Sequence, residues 1–136
     1  MIILEGTDAV GKSSVIERLS EYEIKDRDKN ICSLMDFNLS LLSRVNKLVN
    51  YLEQIDDIVI FLINNDKEEL ERRISKREII DEYDKYTYLY NLIYLETYTY
   101  IKQNNIINNL YMVDCTNLNI EEQTDKVKTL VNSVRR

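Results

Sequence analysis

The chain has 136 residues, a net charge of −6, 44% hydrophobic and 31% charged residues, and no histidine. That length supports one domain with its own core. The acidic balance excludes broad electrostatic binding to nucleic acid, which needs clustered lysine and arginine, so any bound polyanion is small and locally held. With no run of about eighteen apolar residues, no membrane span is expected. Glu5 and Asp8 interrupt the opening apolar run too early for a signal peptide. Cys32 and Cys115 stand alone, without a CxxC pair or a histidine to complete a zinc site. They read as buried thiols of a cytoplasmic protein.

In chain order, "MIILE" at 1–5 predicts a short buried strand, and Val15, Ile16 and Leu19 recur at helical spacing over 12–19. Gly6 and Gly11, the only glycines, place all the special backbone freedom in the loop between them. A second strand is expected either at 22–26, ending at Asp26, or at 31–35, ending at Asp36. Residues 39–53 put Leu41, Leu42, Val45, Leu48, Val49 and Leu52 on one helical face. "DIVIFLIN" at 57–64 is a continuous apolar run, as a strand covered on both faces requires.

Asp66 with Glu69 has the form of a capping box opening a helix to about Arg77, and a tyrosine-rich helix follows over 83–103. "LYMVDCT" at 110–116 predicts a last strand. Asn119 with Glu122 caps a final helix striped by Ile120, Thr124, Val127, Val131 and Val134. Strands alternating with helices imply a single α/β domain with a largely parallel sheet. Tyr86, Tyr90, Tyr94 and Tyr98, four residues apart, form a stripe suited to packing rather than to base stacking.

"GTDAVGKS" fits G-x-x-x-x-G-K-[ST] in full, between an expected strand and an expected helix. In such a loop the glycines let successive amides point inward at phosphate oxygens. Gly6, Thr7, Asp8, Ala9, Val10, Gly11, Lys12, Ser13 and Ser14 are thus the candidate nucleotide-binding residues. Lys12 would reach the β- and γ-phosphates and Ser13 would hold Mg²⁺. Kinases, ATPases and GTPases share this loop, so other residues must choose the reaction.

The wider stretch "LEGTDAVGKSS" resembles the start of thymidylate kinases and related P-loop nucleoside monophosphate kinases, which carry E-G-x-D-x-x-G-K-[ST] after the first strand. The resemblance implies a three-layer α/β/α P-loop NTPase fold with a small, mostly parallel sheet of about four strands and helices on both faces. It also implies transfer of the γ-phosphoryl group of ATP to a nucleoside monophosphate, with Mg²⁺ and small-molecule nucleotides as the ligands. By the same resemblance Asp8 contacts the acceptor sugar. In "IKDRDKNICS" it makes Asp26 the carboxylate that organises Mg²⁺ or water, Arg27 the acceptor-phosphate ligand and Ser33 the following serine. The rival alignment takes "ICSLM" as the strand and Asp36 as its carboxylate.

"DDIVIFLINNDKEELERRISKRE" is similar to the family's later strand, helix and start of the lid, here about 76–85. Family members place a charge-stabilising arginine in the loop or in the lid. Ala9 and Val10 leave the lid position, so Arg77 is the candidate, with Arg73 behind it. Glu68 and Glu69, four residues before Arg72 and Arg73, suggest helix-face ion pairs.

The chain departs from the family in lacking the strand and helices that relatives carry between the first helix and the Asp-Arg stretch, which build much of the acceptor site. Relatives are often dimers, and the 39–53 helix or the tyrosine helix offers a homodimer surface. A kinase with dTMP as first acceptor leads, ahead of a non-catalytic nucleotide-binding module used for sensing or assembly. A simple NTPase comes last, since N-K-x-D is absent and Asn64 and Asn65 supply no carboxylate after "IVIFLI".

Overall fold

The computed structural model describes residues 2–7, 9–26, 40–76 and 86–135. Asp8, Arg27, Cys32, Ser33, Asp36 and Arg77 lie outside them, as do the alternative strand at 31–35 and the expected lid beyond Lys76.

Four strands, β1 (Ile2–Gly6), β2 (Ile24–Lys25), β3 (Ile58–Ile63) and β4 (Leu110–Asp114), form one parallel sheet in the order β2-β1-β3-β4. The inner strands β1 and β3 pair from Ile2 with Ile58 to Gly6 with Leu62. Every residue of β1, and all of β3 but Ile58, is buried. Burial on both faces is why these strands read as unbroken apolar runs rather than alternating ones.

Successive strand side chains point to opposite faces, so the sheet feeds two cores. On one face Ile3, Val59, Phe61 and Ile63 meet Val45, Leu48, Val49 and Leu52 of α2 (Leu41–Glu53) and Tyr90, Ile93, Tyr94 and Ile101 of α4 (Thr87–Asn104). On the other, Ile2, Leu4, Ile60 and Leu62 meet Val15 of α1 (Lys12–Arg18) and Val127 and Val131 of α5 (Ile120–Val134). The result is an α/β fold with helices on both sides of the sheet. A further helix, α3 (Lys67–Ser75), buries Leu70 and Ile74 and packs beside α4.

Local chemistry sets the boundaries. The strand expected at 22–26 forms in shortened form: β2 is two residues long and ends immediately before Asp26. The Ser40 side chain accepts the Ser43 N–H and opens α2. Asn105, at φ 52°, closes α4 in the left-handed conformation that asparagine tolerates. Asn119 and Glu122 exchange both bonds of a capping box, at 2.8 and 3.1 Å.

The expected box at Asp66 forms only by half. Asp66 accepts the Glu69 N–H at 3.1 Å, but the Glu69 carboxylate turns to Arg72 and Arg73, and the Asp66 N–H goes to Asn64 Oδ1.

The tyrosine stripe is packing, as its spacing suggested: Tyr94 sets its ring edge-on to Phe61 with centroids 5.0 Å apart, and Tyr86 and Tyr98 lean on the same core. Cys115 is fully buried, and burial, then the neighbouring Asp114 charge, pushes its thiol up to about 12. Among the described residues no helix is long and apolar enough to cross a membrane.

Candidate functional site

The C-terminal ends of all four strands contribute to one cleft of about 750 Å³. β1 runs into the Gly6–Ser14 loop, β2 leads into Asp26, β3 into Asn64, and β4 leads to Asn117, Leu118, Asn119 and Ile120. The outer ends of parallel strands are where open α/β sheets place their ligands.

The loop owes its shape to steric limits on its glycines. A Cβ on Gly6 would stand 2.8 Å from the Leu62 carbonyl oxygen, because β1 and β3 are still paired there. Gly11 has φ 103° and caps α1, and a Cβ on it would meet Gln123 Nε2 at 2.7 Å. Ala9, at φ 69°, also sits in the left-handed region, which costs a residue bearing a Cβ. Surrounding contacts must therefore hold the loop in place.

Three helices supply them. Thr7 Oγ1 donates to the Thr87 carbonyl at 2.7 Å and lies 2.9 Å from the Thr87 hydroxyl, tying the loop to the first turn of α4. Arg73 on α3 donates to the Ala9 carbonyl at 3.0 Å, to Glu69 at 3.0 Å and to Gln123 Oε1 at 3.4 Å. Gln123 on α5, fully buried, donates from Nε2 to the Val10 carbonyl at 2.9 Å. Val10 itself is anchored in the core between the sheet, α1 and α5. With the Ala9 and Val10 carbonyls held from behind, the loop keeps a fixed outline toward the cleft.

Lys12, 6% exposed, places Nζ 3.4 Å from Asp26 Oδ1. Ser13 and Ser14 are exposed on the same wall. The expected pairing of Glu68 with Arg72 is replaced: Glu69 takes both Arg72 and Arg73. The hydrogen bond from Arg72 above all, helped by Arg73 and opposed by burial, lowers the Glu69 carboxyl to about 2. Lys67 pairs instead with Glu71. Three cations, Lys12, Arg72 and Arg73, and three carboxylates, Asp26, Asp66 and Glu69, line the cleft, so its described charge is balanced.

Of the residues expected at the site, Thr7, Ala9, Gly11, Lys12, Ser13, Ser14, Asp26 and Arg73 line the cleft. Gly6 and Val10 stand behind it, and Asp8, Arg27 and Arg77 lie outside the described residues. Sequence reasoning missed Gln123, Thr87 and the wall at Asn117–Ile120. Gln123 had a signal, being a polar residue three after Ile120 and four before Val127 on an otherwise apolar helical face. Thr87 had none, since its role depends on where α4 meets the loop.

No family model matches the chain, and no curated protein matches it.

Proposed function

We propose that the chain is a compact nucleotide kinase that binds ATP with its phosphates on the Gly6–Ser14 loop and transfers the γ-phosphoryl group to a nucleoside monophosphate, dTMP being the first to test. The observation that carries the reading is the coincidence of a complete G-x-x-x-x-G-K-[ST] loop with a cleft formed where the strands end. The cleft's volume of about 750 Å³ lies within the range of small-molecule sites, and Asn117–Ile120 would be the wall that faces a base.

Lys12 serves the β- and γ-phosphates by leaving Asp26 for them. Ser13 and Asp26 put a hydroxyl and a carboxylate on one cleft, oxygen donors suited to a Mg²⁺ ion that keeps several of its waters. When bound there, Mg²⁺ offsets negative charge on the phosphate oxygens. Arg73 holds the loop through the Ala9 carbonyl. Asp8, Arg27 and Arg77 are assigned to the acceptor and the lid by resemblance.

A second reading is a nucleotide-binding module that transfers little. It is favoured by the short connection from Leu19 to Glu23 between α1 and a two-residue β2, where thymidylate kinases build part of the acceptor site. Incubating the protein with γ-labelled ATP, Mg²⁺ and a panel of nucleoside monophosphates separates the readings. Label in a diphosphate, abolished by Lys12→Ala, is the expected result. Label only in inorganic phosphate makes it an NTPase, and ATP binding without turnover makes it the module; either overturns the kinase.

A further inference from the structure

We infer that Asn64 reads the terminal phosphoryl group: its side-chain amide donates a hydrogen bond to an oxygen of that group and makes the cleft prefer nucleoside triphosphate to diphosphate. This rests on the nucleotide reading of the cleft.

In the sheet, β1 lies between β2 and β3, so the Gly6–Ser14 loop emerges between Asp26 on one side and Asn64 on the other. Both line the cleft. Asp26 faces Lys12. Asn64 is 1% exposed, and both its backbone N–H and its side-chain oxygen are engaged locally. Its backbone N–H donates to Asn91 Oδ1 at 2.9 Å, and its Oδ1 accepts the Asp66 N–H at 2.9 Å. The second bond fixes which way round the amide sits, since only the oxygen can accept from an N–H. Nδ2 is therefore the group left over, buried and without an acceptor among the described residues.

The backbone that carries the side chain is held as well. Asn91, fully buried, also donates to Asn65 Oδ1 at 3.3 Å, and the Asn65 N–H is held by Thr116 Oγ1 at 2.9 Å. A buried donor with no acceptor among the described residues is suited to an acceptor that a ligand brings. That partner has to be an acceptor, because Nδ2 only donates and cannot ligate a cation. Shielding from bulk water strengthens a bond to an anionic oxygen there. The loop's own amides account for the inner phosphates of a triphosphate and Lys12 spans the β- and γ-phosphates, leaving further oxygens of the terminal group for a donor on the β3 side. A neutral amide also brings no negative charge against that group, as a carboxylate in its place would.

Asn64→Asp keeps the oxygen that accepts from Asp66, removes the donor, and is nearly isosteric. Calorimetry with ATP and with ADP, with and without Mg²⁺, is expected to show a loss of about tenfold or more in metal-free ATP affinity in Asn64→Asp. ADP affinity is expected to change by much less. In the unsubstituted protein labelled with ¹⁵N, the Asn64 side-chain amide resonance is expected to shift with ATP and little with ADP, a readout that needs no variant to fold. ATP shifting the Gly11 and Lys12 backbone amides but leaving Asn64 unmoved, or Asn64→Asp weakening ATP and ADP alike, overturns the assignment while the nucleotide reading stands. If the unsubstituted protein binds neither nucleotide, the nucleotide reading fails and the assignment falls with it.

Discussion

Lys12 and Asp26 meet at 3.4 Å across the mouth of the loop, with the lysine buried and the aspartate half in solvent. On the proposed function, an incoming polyphosphate would compete with Asp26 for that ammonium, and the carboxylate would also repel it. Asp26→Asn is therefore expected to tighten metal-free ATP binding and to shrink the gain from Mg²⁺, which calorimetry at zero and saturating Mg²⁺ measures. Glu69 supplies a second residue-scale test. Its carboxyl, lowered to about 2 from an ordinary value near 4.5, binds fewer protons folded than unfolded between those pH values. Its contribution to stability is fully present above the unfolded value and disappears as pH falls through the folded one. Melting temperatures from pH 6 to 2 are expected to show Glu69→Gln less stable at the upper end and converging with the parent at the lower. Spacing along α3 pointed to Glu68 for Arg72. Arg73 reaches over to the Ala9 carbonyl and Gln123, and Glu69 sits where it serves both arginines, a choice set by tertiary neighbours that no local spacing encodes.

Among the elements, the loop is positioned by helices far away in sequence. Gly11 is pressed against Gln123 and Ile120 of α5 at a backbone angle that disfavours any side chain. Gly11→Ala is expected to destabilise the fold by about 1 kcal/mol or more and to weaken ATP binding, seen as a lower urea midpoint together with a raised dissociation constant. Phe61→Ala, in the middle of β3 and under Tyr94, is expected to cost about 3–5 kcal/mol without touching the cleft. β1, β3, β4, α2 and α5 were legible because apolar runs and 3.6-residue stripes mark elements buried on two faces or on one. β2 was the hard case. "EYEIK" offers one buried isoleucine, since an edge strand with only two paired residues needs no apolar run. Half of the Asp66 box was misread because Asn64 and two arginines compete for its groups.

At the scale of the molecule, a parallel sheet with helices on both faces brings four strand ends, and through them Lys12, Asp26, Asn64 and Asn117–Ile120, to one cleft. The loop motif located that cleft in the sequence. Its far wall was invisible there because it depends on β4 lying beside β3. The shortened α1–β2 connection makes transfer the more demanding claim and triphosphate binding the one beneath it. Binding is tested most directly by melting the protein with and without ATP and Mg²⁺, beside Lys12→Ala. A ligand at about a hundred times its dissociation constant stabilises the folded state by about 2.7 kcal/mol, a rise of several degrees in a domain of this size. That rise in the parent, lost in Lys12→Ala, is the expected result; an unchanged melting temperature in the parent at saturating ATP contradicts the nucleotide site.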